Sequence, residues 1–154
     1  MVIRSPVVAE FLSFIDKNPY CENKDVVNHF VKDEVATRLW GQPFKTKKVE
    51  SYSGAYWRGS GPRLITKSRH AQVYSKLSFF LYKYNNHLVE GGGKMRRGGP
   101  CVTELRRDDG RMGYILTPMG MASIADWRQK QEAIAEFEVK VLEEREAIRN
   151  RLGV

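Results

Sequence analysis

The chain has 154 residues, with 26 Lys and Arg against 18 Asp and Glu for a net charge of +8, and 42% of its residues are hydrophobic. That length suits one compact domain with an appendage, and its longest apolar run is a few residues, so neither a membrane span nor a secretory signal is expected. Cys21 and Cys101 lie far apart and His29, His70 and His87 form no cluster at metal-ligand spacing, so we expect no disulfide framework, no metal and no cofactor, and a reducing cytoplasm as the location.

Ser5-Pro6 places a capping residue before a proline at the first helical position, where the missing N–H costs nothing. Val7, Val8, Phe11, Leu12, Phe14 and Ile15 then recur at helical spacing until Asn18-Pro19 stops the run. A second helix is predicted from about Asn23 to Leu39, closed by Trp40-Gly41-Gln42-Pro43. Residues 44–67 carry no sustained period and read as a long irregular loop with room for one short strand. Thr66 or Ser68 caps a third helix over roughly Arg69–Tyr84, whose Val73, Leu77, Phe80, Leu81 and Tyr84 form an inward stripe.

After Asn85-Asn86 the chain is predicted to be extended through His87-Leu88-Val89 before the glycine-rich basic stretch at 91–99. Cys101–Arg107 and Arg111–Leu116 read as two strands around Asp108-Asp109-Gly110, a strong hairpin turn signal. A long helix then runs from Met119 or Ser123 to Leu152, about 45 Å at 1.5 Å per residue. Trp127, Ile134, Phe137, Val141, Ile148 and Leu152 form a narrow apolar seam along it, interrupted by Lys130 and by Glu144 or Arg145. Such a seam buries poorly against a small body, so a partner helix is expected. The expected class is mainly α with a small β-hairpin, an α+β arrangement, with a body at 1–122 and a dimerisation helix at 123–154.

Cut by position, the charge is −1 over residues 1–44, +10 over 45–116 and −1 over 117–154. A basic excess this concentrated attracts a polyanion, most simply the phosphate backbone of nucleic acid. The plainer account is a solvated basic surface. Arg69, Gln72, Lys76 and Lys83 supply long polar donors on the third helix; Arg can read guanine and Gln adenine through paired hydrogen bonds. Arg106, Arg107 and Arg111 put three guanidinium groups at the hairpin tip, for phosphates or a narrow minor groove, unless they pair with Asp108 and Asp109. Lys94, Arg96 and Arg97, spaced among glycines, allow close approach to a phosphate or form a basic linker. Tyr52, Tyr56 and Trp57 offer stacking surfaces for unpaired bases, or clamps to the core.

Enzyme chemistry is poorly served: Asp108 and Asp109 suit a turn, Cys21 and Cys101 have no neighbouring histidine, and no phosphate-loop motif is present. His70 and Tyr74 sit one helical turn apart without a paired-histidine metal site. A non-enzyme is expected.

Taken in order, His87-Leu88-Val89, the charged hairpin Leu105–Arg111 and Leu116-Thr117-Pro118-Met119-Gly120 resemble the short strand in which the recognition helix ends, the wing and the Leu-Thr-x-x-Gly turn of winged helix-turn-helix regulators, in particular the multiple-antibiotic-resistance and phenolic-acid-decarboxylase regulator families. These motifs cover about a third of the chain. The 44–67 loop is longer than the usual link into the recognition helix, and the glycine tract is an insertion at the wing base. The resemblance implies a homodimeric transcriptional regulator on double-stranded DNA at the nucleoid. The alternatives are an adaptor or inhibitor that grips a protein partner with its basic surface and long helix, and a replication or partition accessory.

Overall fold

The computed structural model describes residues 3–51, 63–81 and 101–153. The order of elements is α1 (Pro6–Lys17), α2 (Asn23–Val31), α3 (Asp33–Trp40), β1 (Lys47–Ser51), β2 (Arg63–Lys67), α4 (Arg69–Leu81), β3 (Val102–Arg106), β4 (Met112–Leu116) and α5 (Pro118–Leu152). The chain is mostly helical, and its strands form two antiparallel hairpins, β1–β2 and β3–β4.

Helix α1 begins as expected, with Ser5 at the N-cap and proline at its first position. Asn18 ends it, its side-chain amide donating to the Phe14 carbonyl at 3.0 Å. The predicted 23–39 helix is two helices. Lys32, at φ −58° and ψ 135°, leaves the helical region and serves as the C-cap of α2 and the N-cap of α3. Asp33 and Glu34 then occupy the first turn of α3, where carboxylates favour the positive end of a new helix dipole.

One core joins these pieces. Phe11, Leu12 and Ile15 of α1, Val26, Val27 and Phe30 of α2, Val73 and Leu77 of α4, Val102 of β3 and Ile124 of α5 are all at most 2% exposed. Each such aliphatic or aromatic side chain contributes about 1.5–3 kcal/mol through burial. Helix α1 lies against both β4 and α5, while α2 packs on α4 and α3. Cys21, between α1 and α2, forms a single antiparallel bridge to Tyr114 of β4: the Tyr114 N–H donates to the Cys21 carbonyl at 2.8 Å and the Tyr20 N–H to the Tyr114 carbonyl at 2.7 Å.

Glu10 ties three helices together. Its carboxylate meets His29 Nε2 at 2.7 Å and accepts from both terminal nitrogens of Arg38, at 2.8 and 3.1 Å. The Arg38 guanidinium holds this carboxyl below its usual range against the opposing pull of burial, with His29 adding to the effect. Because the folded value is the lower one, this stabilisation is present above the ordinary carboxylate range and is lost as pH falls through the folded value. Glu10→Gln should therefore cost about 1–3 kcal/mol in a urea melt at neutral pH. The gap to wild type should close in acid; a gap that persists there would mean that packing, not charge, holds the three helices.

Helix α5, 35 residues long, spans about 52 Å. The 122/123 division falls inside it. Its first turns are bound to the body, where Gly120, Ser123 and Ile124 are buried and Arg128 pairs with Asp16 at 3.2 Å. From Arg128 onward all of its side chains are exposed except Val141, which is half-buried.

Candidate nucleic-acid interface

Helix α4 starts at Ser68, whose hydroxyl accepts from the Ala71 N–H at 3.1 Å. At 100° per residue, Val73 and Leu77 point inward, and Arg69, Gln72 and Lys76 fall on the flank beside them rather than opposite. The structure uses that flank for internal bonds. Arg69 donates to the Val31 carbonyl at 2.9 Å and to Asp33 Oδ1 at 2.6 Å, locking α4 to the α2–α3 junction. Gln72 is 9% exposed, and its amide donates to the carbonyls of Lys45 at 2.6 Å and Lys67 at 3.2 Å. The expectation that Gln72 and Arg69 are free to face base edges is thus corrected: their donors already have protein acceptors. Lys76 is exposed, with Nζ 5.8 Å from the centre of the Trp40 ring.

The face opposite the core carries Ser75, and Tyr74, 43% exposed, lies on the flank away from Gln72 and Lys76. Sequence reasoning missed both as surface groups; their angle from Val73 was the available signal. Lys67 of β2 donates to Ser75 Oγ at 2.7 Å, which sets the first hairpin against one edge of this face. On the other edge, Tyr74 shares an open cleft with Glu104, Arg111 and Met112 of the second hairpin and with Asn23 of α2. The Tyr114 hydroxyl at the back of this cleft donates to Asn23 Oδ1, and burial first, then the charge of Glu104, pushes its ionisation well up.

Within the irregular loop expected at 44–67, Lys47–Ser51 and Arg63–Lys67 pair as two strands, where one short strand was expected. Their register pairs Lys47 with Lys67, Lys48 with Thr66, Val49 with Ile65, Glu50 with Leu64 and Ser51 with Arg63. The second hairpin has the expected turn. Gly110 adopts a left-handed φ of 82°, the Gly110 N–H donates to the Arg107 carbonyl at 2.9 Å, and Asp109 Oδ1 accepts from the Arg111 N–H at 3.0 Å. A three-residue loop closed by left-handed glycine is a common hairpin connection.

The three arginines of the second hairpin differ from one another. Arg106 is exposed with no salt bridge among the described residues. Arg107 pairs with Glu22 at 3.2 Å and with Asp109 at 3.0 Å, so internal pairing accounts for much of its charge. Arg111 reaches the same Glu22 oxygen at 3.6 Å while its side chain stays 63% exposed. Glu22, which also shares a capping box with Asp25 at the start of α2, is the acceptor that roots the hairpin; sequence reasoning gave it no role.

Along α5, Ile134, Phe137, Ile148 and Leu152 are 50–71% exposed and Val141 is half-buried. Trp127 departs from the expected seam: it is partly buried against the core of its own domain, so the exposed seam starts at Ile134. Lys83, Lys94, Arg96 and Arg97, the predicted strand at 87–89, and Tyr52, Tyr56 and Trp57 lie outside the described residues.

Burial first, then the charge of Asp25, pushes the Cys21 thiol up to about 11, and burial raises that of Cys101 as well. Both thiols are therefore protonated, and poor nucleophiles, at neutral pH. Among the described residues no group of His, Cys, Asp or Glu is placed to hold a metal ion, and no helix is long and apolar enough to cross a membrane. Comparison with models of protein families, with curated proteins and with solved structures finds no match to this chain.

Proposed function

We propose that the protein is a homodimeric, sequence-selective binder of double-stranded DNA that acts as a transcriptional regulator by occupying its site. The observation that carries this reading is the setting of α4: its solvent face is bordered on one side by the cationic β1–β2 hairpin and on the other by a hairpin whose three arginines are matched in number by Glu104, Asp108 and Asp109, both within the segment of charge +10. A helix beside a hairpin that presents Arg106 and Arg111 offers one element for a groove and cations for the phosphates beside it.

The order α1, extended Cys21 bridged to β4, α2, α4, β3 and β4 supports a winged helix-turn-helix core, with α3 and β1–β2 inserted between its second and third helices. Within this core Arg106 and Arg111 are the wing residues available to phosphate, and Tyr74, Ser75 and Lys76 form the accessible part of the helix. The exposed seam of α5 supports dimerisation through that helix. The same seam favours a second reading, an adaptor that grips a protein partner.

Titration of the full chain against a genomic duplex library, read by anisotropy, separates the two. About six phosphate contacts should give a slope of log K against log salt near −5, at about −0.9 per contact. Absence of binding at about 50 mM salt, or binding indifferent to salt, would overturn the DNA reading. An acidic protein that displaces the DNA would favour the adaptor.

A further inference from the structure

We propose that the β1–β2 ribbon is a second DNA-binding arm, which lies in the major groove beside α4 and places Lys47, Lys48 and Arg63 on the phosphates. This inference rests on the DNA reading above and adds a contact surface to it.

Exposure is the first observation. Within β1 and β2 every residue is exposed except Val49, Ser51 and Lys67, which are half-buried, and Leu64 and Ile65 are 71% and 45% exposed. The three half-buried residues share one face by the strand register, and no residue of either strand is fully buried. An isolated two-stranded ribbon is marginally stable in water, and neither strand pairs with a third strand among the described residues. Among the described residues the body holds it at the base, through the Gln72 amide on the carbonyls of Lys45 and Lys67 and through Lys67 on Ser75. Such a grip aims the ribbon while leaving Lys47, Lys48 and Arg63 exposed.

Charge is the second. Lys45, Lys47, Lys48, Arg63 and Lys67 stand in these two strands and their lead-in against the single carboxylate of Glu50. None of the five cations is held in a salt bridge among the described residues, whereas Arg107 and Arg111 of the other hairpin share Glu22. Lys47 and Lys67 are cross-strand partners, a like-charge pairing that costs stability in the free protein. An anion between or beside them removes that cost. Val49 and Ile65 share their face, as does the Arg63–Ser51 pair, so this face alternates cationic and apolar rungs.

These features together select the ligand. A polyanion satisfies the charge, and the B-form major groove admits a two-stranded ribbon, where apolar side chains meet thymine methyl groups. The deep, narrow major groove of A-form RNA does not admit it.

The test uses the full chain and the triple variant Lys47→Ala, Lys48→Ala, Arg63→Ala on the duplex selected from the library. All three side chains are exposed and Lys47→Ala removes the like-charge pair with Lys67, so the melting temperature should equal or slightly exceed that of wild type and helical content should match it. Loss of three phosphate contacts should weaken binding on the order of 100-fold at about 0.1 M salt and make the salt slope shallower by about 2.7. Hydroxyl-radical footprinting should lose the protections at one flank of the site and keep those of the wing. A variant with wild-type slope and footprint would overturn the arm while leaving DNA binding intact. An A-form RNA duplex that competes as well as the DNA would overturn the groove assignment, and a wild-type chain that binds no duplex would remove the DNA reading and the arm with it.

Discussion

If the proposed dimer forms through α5, replacing Phe137 and Val141 with lysine is expected to dissociate it and lower affinity for a two-half-site DNA target by about 100- to 10,000-fold. Phe137 is 67% exposed in the single chain and Val141 is the one half-buried residue beyond Arg128, so both are open to a partner helix. Together with Ile134 and Ile148 they follow spacings of three, four and seven, the periodicity of a coiled-coil seam. Two ammonium groups in that seam are desolvated without a counter-charge, which a pairing of this size does not tolerate. The body should remain folded, since its contacts with α5 end near Arg128. A two-fold pair reads half-sites one duplex turn apart or a multiple of it, so the target should be nearly palindromic, and losing the tether removes the high effective concentration of the second body. Light scattering at micromolar concentration checks the first step. A monomeric wild type, or a double variant that still dimerises, would show that α5 does not join two copies.

The second large effect is expected from Gly120→Ala, which should destabilise the fold by about 3 kcal/mol or more. A Cβ built at Gly120 falls 2.1 Å from the carbonyl oxygen and 2.9 Å from the carbonyl carbon of Cys101, both backbone atoms that no rotamer change can move aside. The same carbonyl accepts from the Thr117 N–H at 3.0 Å, and the Gly120 N–H donates to Thr117 Oγ1 at 3.2 Å, so the start of α5 is bonded to the chain entering β3 at this point. A methyl group there forces apart the hairpin and the long helix, and a domain whose total stability is about 5–15 kcal/mol has little to spare. Urea melts followed by circular dichroism give the value, with exposed Met121→Ala as the neutral comparison. A Gly120→Ala variant within about 0.5 kcal/mol of wild type would mean that the two backbones separate freely.

Local chemistry made some of the molecule legible in advance. Ser5-Pro6 and Asn18 bound α1, Asp108-Asp109-Gly110 turns the second hairpin, and Thr117-Pro118 ends its second strand; that Thr117 caps α5, Pro118 starts it and Gly120 lies against Cys101 came from the structure. The break at Lys32 was not legible, because Asp33 and Glu34 are acceptable in mid-helix and only the packing of α3 on α2 makes a new start there. Nor was the β1–β2 ribbon: strand recognition depends on one face being apolar, and this ribbon has no fully buried residue.

The amino-acid order by itself determined where the positive charge is concentrated, which face of each long helix is apolar and where the second hairpin turns, because those properties depend on residues a few positions apart. Tertiary structure alone decided which polar groups remain available to a ligand. Arg69 and Gln72 look like groove readers until Asp33, 36 residues away from Arg69, and the carbonyl of Lys45, 27 residues before Gln72, arrive as their acceptors. Arg107 is drawn to Glu22 across 85 residues, and Trp127 turns from the seam to its own core. A donor's fate depends on the nearest acceptor in space, and that distance is set by the packing of elements remote in the chain.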